Sequence, residues 1–396
     1  MRHQKTLMIA ALITLTLGAT AAAGRTWTVR KDGTGDYQVI QEAVDAASDG
    51  DVIDIGPGRF DDYQTIWYQG SPGWDAYVNI DGKSLTLQGA GPDQTIIGPE
   101  DQDFHPWPGR QAMIIMGLNC GILKVSDMTL EHSNWELISY SSWDQRLEVA
   151  RCVFRESNKG ISVTCPDGGF VTDSQFCDID DVAIQAYNPT NDFRIQNCTF
   201  SNVYGPAAAD WSPTHIEVSD CIMDNGRVGV GFAGGASGRV TRCTMTNYEN
   251  YGVALSAPGA VTITDNIIEQ TDGWGMYFAD ANEAVITNNL IRTQTGTCLY
   301  LPYPSDGVVF EGNDLYRGSG DFAKTNEYFP YEPPTYFHFE NNYWGTTDAE
   351  EIQAHMNDGH FQEFSNMFVL FEPFEGGPVP TQNSSWGSLK AMYRGE

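Results

Sequence analysis

Basic residues are scarce in this sequence. Its 396 residues include 22 Lys and Arg against 52 Asp and Glu, which gives a formal net charge of −30 at pH 7. A chain this acidic repels polyanions, which argues against nucleic acid or an anionic lipid surface as its partner. The glycines show no three-residue period, which excludes collagen, and 12% aromatic residues argue against a disordered chain.

Long apolar runs are also missing. After residue 23 no segment approaches 18 uninterrupted apolar residues, so the sequence predicts no membrane-spanning helix. Residues 1–23 begin with Arg2 and Lys5, continue as an apolar run from Leu7 to Leu17, and end in three alanines. This order is typical of a secretory signal peptide, and it predicts a secreted, periplasmic or cell-surface protein.

One six-residue phrase recurs ten times from about Leu123 onward. It reads apolar, polar, Asp or Asn, small, any residue, large apolar, as in VSDMTL, ITNNLI and FENNYW. The steps between copies are 22 to 24 residues, with a final step of 29. The small position is occupied in turn by Met128, Cys152, Ser174, Cys198, Cys221, Cys243, Asn266, Asn289, Asn313 and Asn342.

Two columns of this repeat are wholly apolar. They stand three residues before and two residues after the small position, and both therefore point inward from strands of period two. The residue just before the small position is Asp, Asn or Gly in eight of ten copies, which favours a left-handed bend between short strands. A second strand follows in each coil, often after Gly, as at 229–232. The pattern predicts an all-β parallel β-helix, a solenoid of ten or more coils.

The two ends of the repeat region are expected to carry caps. Asp36 is a candidate N-cap for a short amphipathic helix at about 36–48, which would cover the open strand edges of the first coil. The apolar face of this helix consists of Ile40, Ala43, Val44 and Ala47. The expected organisation is a signal peptide at 1–23, one domain at 24–374, and a linker and tail at 375–396. Within the domain, the repeat coils are expected at about 120–347 and a C-terminal cap at 348–374.

The eight cysteines and many charges fit the same frame. Four cysteines occupy the small column, where they predict buried free thiols, and a disulfide between Cys198 and Cys221 is the alternative. No His enters this column, so no metal site is predicted there. Opposite charges stack on outward columns, as in Glu131 with Arg155, and we interpret them as solvated pairs worth about 0.2–1 kcal/mol each. Glu269 with Arg292 is a second such pair.

A family resemblance rests on the N-terminal residues. The segment from Thr28 to Asp51, with GPGRF at 56–60 and SLTLQGAG at 84–91, resembles the opening of the pectin-lyase-like superfamily, particularly its secreted bacterial β-helix repeat proteins. The resemblance covers about 26–347 and implies a right-handed helix. The family's catalytic motifs do not carry over, and the nearest fragment, at 180–184, lacks the required Cys. The sequence therefore favours a carbohydrate-interacting protein that lacks the known catalytic set.

One acidic cluster is a candidate catalytic site. It consists of Asp173, Asp178, Asp180 and Asp181, beside Arg155 and Lys159 of the preceding coil. Carboxylates flanked by cations suit calcium binding or acid–base chemistry on a sugar, which makes a polysaccharide lyase or glycoside hydrolase the alternative function. The simpler interpretation is a solvated loop, because the spacing matches no calcium-loop template.

Aromatic residues near the second strand are candidate substrate-binding groups. Tyr204, Tyr251 and Trp274 are read as equivalent positions before that strand, and Tyr277 is read as outward on it. Such rings suit a platform for a polysaccharide or glycan, and packing under a turn is the alternative. The other outward positions are read as small and uncharged: Ser162, Ala183, Gly231 and Ala254. A structural or adhesive rod is a third possible function.

Overall fold

A computed structural model describes residues 24–378 apart from 69–70, 102–109, 118–119, 142–145, 188–189, 212, 271, 306, 329, 331–332 and 363. The expected signal peptide and residues 379–396 of the expected tail lie outside the described residues. The chain winds into coils that stack through parallel strands. Each coil crosses three faces in turn, which we call the first, second and third faces.

The first face is a sheet of twelve parallel strands, one from each coil. Its inward residues, such as Val125, Val149 and Val171, are fully buried and stand in register from coil to coil. Its strands are Thr26–Val29, Asp51–Ile55, Leu85–Gly89, Ile122–Ser126, Arg146–Ala150, Gly169–Thr172, Phe193–Gln196, His215–Ser219, Ser237–Thr241, Val261–Thr264, Val285–Thr287 and Val309–Glu311.

The second and third faces share six long strands, each of which bends from one face to the other. These are Thr129–Ser141, Val153–Thr164, Gln175–Ala186, Thr199–Asp210, Ile222–Ala233 and Thr244–Ser256. Elsewhere the second face has the separate strands Gly58–Phe60, Thr95–Ile97, Ile267–Gln270, Leu290–Thr293 and Asp314–Arg317. The third face has Ser71–Ile80, Arg110–Met116, Trp274–Ala279, Leu299–Leu301, Ala323–Thr325 and Met356–Asn357.

Few elements depart from this stack. Gln64–Tyr68 forms an antiparallel hairpin with the strand at 71–80, and Thr335–His338 pairs with Met367–Leu370. The helices are Ile40–Ala46 and Ala349–Ala354, and Ile40, Ala43 and Val44 of the first are buried as expected. Asp36 is not its N-cap, because the helix begins after Val39 and the Asp36 carboxylate instead accepts the amide and hydroxyl of Thr28, both at 2.9 Å.

Left-handed residues make both corners of the coil. All ten residues before the small position have φ between 50° and 65°, including Arg151 and Arg242, which do not favour that conformation. The Arg151 guanidinium donates two hydrogen bonds of 2.7 Å to Asp127 of the preceding coil, and Arg242 donates two of 2.7 and 2.8 Å to Asp220. A second left-handed column, which the repeat did not predict, turns the strand onto the third face at His132, Glu156, Asp178, Asn202, Asn225 and Asn247.

The small column forms a continuous buried row, as the repeat predicts. Every member is at most 1% exposed, and Cys198, Cys221 and Cys243 are free thiols on consecutive coils. The asparagines then form an amide ladder, in which Nδ2 of each residue donates to Oδ1 of the next at 3.0 Å from Asn266 to Asn342. The side-chain oxygens of Asn289, Asn313 and Asn342 also accept the backbone amides of the preceding asparagines in the ladder. The buried amide groups of this column therefore have hydrogen-bond partners.

A buried charge cluster lies on the second face. Glu131 is 1% exposed, and its carboxylate oxygens lie 2.5 Å from Arg155 of the next coil and 2.6 Å from Arg59. The pair of Glu131 and Arg155 stacks as the repeat predicts, but the prediction that it is solvated is wrong, because its carboxylate is buried. The neighbouring His132 ring places Nδ1 at 2.9 Å from the carbonyl of Pro99 and Nε2 at 2.7 Å from Glu156. Burial opposes protonation of His132, but these two acceptors and the charges of Glu131 and Glu156 outweigh it and raise its pKa.

The asparagine ladder should be a main source of stability. Replacing Asn289 by Ala leaves the buried amide of Asn266 without its acceptor and removes the side-chain hydrogen bonds to the carbonyls of Ile263 and Thr287. We expect Asn289→Ala to lower the free energy of unfolding by on the order of 3 kcal/mol in urea denaturation. The control is Cys221→Ser, because a hydroxyl can donate to the Ser219 carbonyl that Sγ contacts at 3.1 Å. Equal losses from the two substitutions would contradict the ladder's role.

The His132 cluster should make stability depend on pH. Because the folded-state pKa is raised, protonated His132 stabilises the fold fully below about pH 6.5, and this contribution is lost as pH rises through the folded-state pKa. His132→Asn keeps a residue that tolerates positive φ, as at Asn202. Thermal denaturation from pH 5.5 to 8.5 should show wild type losing its advantage over this variant as pH rises. Parallel curves would refute the assignment.

Candidate functional site

One outward residue per coil lies between two buried columns on the third face. Inward neighbours such as Ile161 and Val163 are fully buried, so this single column determines the surface of the face. From the first coil to the last it consists of Asn79, Ile115, Ser139, Ser162, Gln185, Ala208, Gly231, Ala254, Tyr277, Tyr300, Lys324 and Asn357. Its polar, small and aromatic members are grouped, and the grouping divides the face into three parts.

The middle part has a floor of small residues. Ala208, Gly231 and Ala254 stand in register on three consecutive coils. A Cβ added to Gly231 would meet nothing within 4 Å, so the surface above it is open. At about 4.8 Å per coil, two steps of this floor span roughly 10 Å along the rod. A flat ligand can therefore approach the backbone closely here.

One end of the floor carries an aromatic cluster, which consists of Tyr251, Trp274, Tyr277 and Tyr300. The Tyr251 and Trp274 rings stack with centroids 5.2 Å apart at 27°, and the Trp274 and Tyr300 centroids are 4.2 Å apart. Tyr277 lies 4.7 Å from Tyr251 and 5.9 Å from Tyr300, which closes the cluster. All four side chains remain partly exposed.

Burial sets the protonation state of this cluster. It raises the pKa of Tyr251 and of Tyr277, so both phenols stay neutral at physiological pH. Neutral phenols both donate and accept hydrogen bonds, and their ring faces offer flat apolar area. The cluster therefore suits a ligand that has an apolar face and hydroxyl edges.

The other end of the floor is polar. The Ser162 hydroxyl donates to the Glu136 carboxylate at 2.8 Å, and Glu136 is 7% exposed. Lys159 donates to the Gln185 amide oxygen at 2.9 Å, and the Gln185 amide nitrogen donates to Asp210 at 3.1 Å. Donors and acceptors are thus held in a chain of hydrogen bonds across neighbouring coils. Such pre-positioned groups suit hydroxyl recognition.

An arginine between two indoles lies beyond the polar part. The guanidinium carbon of Arg110 is 4.1 Å from the ring centroid of Trp135 and 5.6 Å from that of Trp74. Arg110 and Trp74 stand in register on adjacent coils. Arg110 is exposed, and within the described ranges its side chain has neither a carboxylate partner nor a hydrogen-bond acceptor.

The predicted catalytic residues are spread over the coil. Asp173 lies at the first corner, where it accepts the side chain of Asn197, and Asp178 lies at the second corner, where it accepts Asn202 at 3.0 Å. Arg155 is bound to Glu131 on the second face. Asp180 is exposed on the strand that follows the second corner. The structure brings together only Asp181 and Lys159, whose charged atoms are 3.5 Å apart.

The structure brings together three of the four aromatic residues that the sequence analysis names as substrate-binding candidates. Tyr251, Trp274 and Tyr277 do lie together, but Tyr204 is not equivalent to them. In the coil that contains Tyr204, the position equivalent to Tyr251 and Trp274 is held by Gly205, which lies between Val182 and Val228 of the neighbouring coils. A bulge in the long strand shifts the pairing register by one residue. Tyr204 instead accepts a 3.3 Å hydrogen bond from Arg227, whose guanidinium lies 5.4 Å from the ring.

Ala183 is also misplaced in the sequence reading. It is fully buried, and Gln185 holds the outward position of that coil. The same bulges explain why both Tyr204 and Ala183 were placed wrongly. Counting residues along the sequence from the corner does not reveal the extra residue that a bulge inserts. Sequence reasoning missed Arg110, Trp135, Glu136 and Gln185 altogether. Tyr300 could have been found, because it follows Tyr277 by one 23-residue step.

The described residues contain no group of three or more His, Cys, Asp or Glu side chains arranged to hold a metal ion. Of the four aspartates in the predicted acidic cluster, Asp173 and Asp178 lie at different corners of the coil, and Asp180 and Asp181 follow the second corner on one strand. In the described ranges neither helix is long and apolar enough to cross a membrane.

Comparison with known proteins identifies the fold family. Residues 159–315 match the family model described as the right handed beta helix region. These residues supply the coils that form the floor and the aromatic cluster of the third face. This match and the stacked parallel coils confirm the predicted fold, an all-β parallel β-helix, and the matched residues have the right-handed form.

Several solved structures are similar to this chain at low sequence identity. The tailspike protein of E. coli bacteriophage HK620, in complex with a pentasaccharide, matches with a TM-score of 0.51 at 12% identity over 72% of this chain and 60% of that one. The chain thus spans less than two thirds of the tailspike's length. The A-module of a mannuronan C-5 epimerase from Azotobacter vinelandii gives 0.45 at 13% identity, with coverages of 73% and 86%. An alginate lyase from Paenibacillus sp. gives 0.45 at 12%, with 74% and 98%.

These likenesses concern the fold alone. Among curated proteins, no sequence matches that of this chain.

Proposed function

We propose that this protein binds an extended polysaccharide that lies along the third face, parallel to the axis of the coils. The observation that carries the proposal is the open floor of Ala208, Gly231 and Ala254 that leads directly to the aromatic cluster. An aromatic platform beside a flat floor accommodates a chain of rings, whereas an enclosed cavity would accommodate a single small molecule. The function is binding, and export through residues 1–23 is part of the proposal.

The length of the face suits several sugar units. Seven coil-to-coil steps separate Trp135 from Tyr300, which is about 34 Å at about 4.8 Å per step. The outward column is continuous over this distance, so one ligand chain can contact both ends. Affinity would then come from many shallow contacts rather than one deep pocket.

The two ends of the floor make complementary contacts. The exposed parts of the rings in the aromatic cluster offer apolar area to sugar rings at low cost in side-chain entropy, since each Tyr or Trp side chain has two rotatable bonds. At the polar end, Gln185 and Lys159 are already held in place by hydrogen bonds and can exchange with sugar hydroxyls. The tailspike structure, which shares this fold, holds a pentasaccharide, so a β-helix of this kind is a workable scaffold for a glycan.

Binding without cleavage is favoured by the placement of the carboxylates. Asp173 and Asp178 are held at separate corners, each by an asparagine of the next coil. Acid–base cleavage of a glycoside needs two groups that converge on one bond. Because these aspartates do not converge, we do not propose the hydrolase or lyase alternative.

The platform can be tested by removing its central ring. Trp274→Ala should weaken binding about tenfold, because Trp274 stacks on both Tyr251 and Tyr300. Binding is measured by affinity gel electrophoresis against three matched pairs: carboxymethylcellulose and hydroxyethylcellulose, polygalacturonate and its methyl ester, and dextran sulfate and dextran. Product analysis should show neither new reducing ends nor unsaturated products.

The control for this experiment is Tyr336→Ala. Tyr336 is 50% exposed and stacks on Phe368, in the separate two-stranded sheet away from the third face. Its loss should leave affinity unchanged. If wild type binds none of the six polymers, or if Trp274→Ala binds as tightly as Tyr336→Ala, the proposed function is wrong.

A further inference from the structure

We infer that residues 379–396 bind, within the same molecule, in a groove at the C-terminal end of the first face, which we call the terminal groove. Its lining includes residues of two strands and of the turns before them: Pro304, Val309, Pro333, Pro334, Tyr336 and His338. The groove belongs to the first face, whereas the proposed polysaccharide lies along the third face, so the two sites are independent.

The terminal groove opens where the ladder of parallel strands is interrupted. In the described ranges the strand Val309–Glu311 pairs only with Val285–Thr287 of the preceding coil. The strand of the next coil, Thr335–His338, pairs only with Met367–Leu370. These neighbouring strands therefore do not pair with each other, and the step into the later coil is 29 residues long instead of 22 to 24. The gap between them has a volume of about 700 Å³.

The groove and the surface beside it are apolar and exposed. Val309 and Tyr336, on the two sides of the gap, are 42% and 50% exposed, and Val285, next to Val309 in the outward column, is 36% exposed. Earlier coils place charged residues in this column, such as Glu217 and Arg239, which stand in register. The change from charged residues to valines leaves contiguous apolar area, which is typical of a surface that another segment covers.

This end of the rod is acidic and has no cations of its own. Residues 325–389 include ten Asp and Glu and no Lys or Arg. The described lining of the groove also contains neither Lys nor Arg. Two exposed carboxylates flank it, because Glu283 adjoins Gly307 of the lining and Glu311 follows Val309 on the same strand. A segment that brings both apolar area and positive charge is therefore complementary to the groove.

Residues 379–396 have this composition. Trp386, Leu389 and Tyr393 stand three and four residues apart, the spacing at which apolar side chains share one face of a helix. The segment contains two basic residues and one acidic residue, whereas the whole chain has a formal net charge of −30. Apolar and basic side chains are thus concentrated in the part of the chain that directly follows the acidic stretch.

The described chain brings this segment within reach of the groove. The amide of Glu375 donates to the carbonyl of Asn342 at 2.9 Å, so the chain leaves the rod on the coil that supplies one side of the groove. Tyr336 lies six residues before Asn342, which is about 20 Å along an extended strand. The eleven residues from Glu375 to Trp386 span at most about 36–40 Å. Trp386 can therefore reach the groove without displacement of any described strand.

Covalent attachment favours this segment over other occupants. A tether of about ten residues gives an effective concentration in the millimolar range, so modest contacts suffice to keep the groove occupied. A second copy of the chain would bring another net charge of −30, which opposes association. The groove is thus better suited to the chain's own C-terminal segment than to a second molecule.

Trypsin measures this contact, because it cleaves after Lys390 only while the segment is undocked. In the wild-type chain this cleavage should be about tenfold slower than in the free peptide 379–396. The released C-terminal fragment is followed by mass spectrometry. The rate should be the same at protein concentrations between about 0.5 and 50 μM, since docking within one molecule does not depend on concentration.

Two substitutions should remove the protection. Trp386→Ala and Val309→Asn should each raise the cleavage rate several-fold, because they remove apolar contact from the segment and from the groove. The matched controls are Val379→Ala, at the start of the segment, and Ile122→Asn, at an aliphatic residue that is 38% exposed on a distant coil of the first face. Both controls should be cleaved at the wild-type rate, and thermal denaturation checks that all four variants are folded.

Three results would overturn the docking of this segment. The first is cleavage of the wild-type chain as fast as the free peptide. The second is protection that survives both Trp386→Ala and Val309→Asn, which places the segment elsewhere. The third is protection that increases with protein concentration, together with a dimer in light scattering, which assigns the groove to a second copy. Polysaccharide binding is measured separately and stands or falls without these results.

Discussion

Parallel hydrogen bonding between coils determines where the side chains of the stacked strands lie. Because successive strands pair in register, residues 22 to 24 apart stand directly over one another, and each column becomes a ladder of like contacts. The buried small column shows the consequence most clearly. A single misregistered coil would break the amide ladder from Asn266 to Asn342 and expose backbone groups that now have partners.

The corners are the strained part of this design. Arg151 and Arg242 adopt positive φ at a cost of about 1–2 kcal/mol each, and their paired hydrogen bonds to aspartates of the preceding coil offset part of it. The outward surfaces of the first and second faces are thereby used for stabilisation. The third face lacks such a continuous ladder of ion pairs over Ala208, Gly231 and Ala254, and it is there that surface remains for a ligand.

The proposed binding face combines two kinds of contact at opposite ends of a flat floor. Aromatic rings at one end offer apolar area, whereas Gln185 and Lys159 at the other end offer polar groups that are held by hydrogen bonds. In the proposed complex, a ligand long enough to reach both ends is recognised by its apolar ring faces and by its hydroxyl groups.

The repeat in the sequence was sufficient to predict the solenoid, the buried small column with its free cysteines, the first left-handed corner and the stacked Glu131–Arg155 pair. Each depends on spacing along the chain, which parallel stacking converts directly into spatial order. The second corner, the bulges that place Gly205 and Gln185 in the outward column, and the separation of Asp173 from Asp178 depended on tertiary structure, because an inserted residue shifts the register without changing the repeat length. Trp74, Arg110 and Trp135 lie before or at the start of the recognisable repeat. Only the folded chain brings their side chains together, since no periodicity links residues on coils of unequal length.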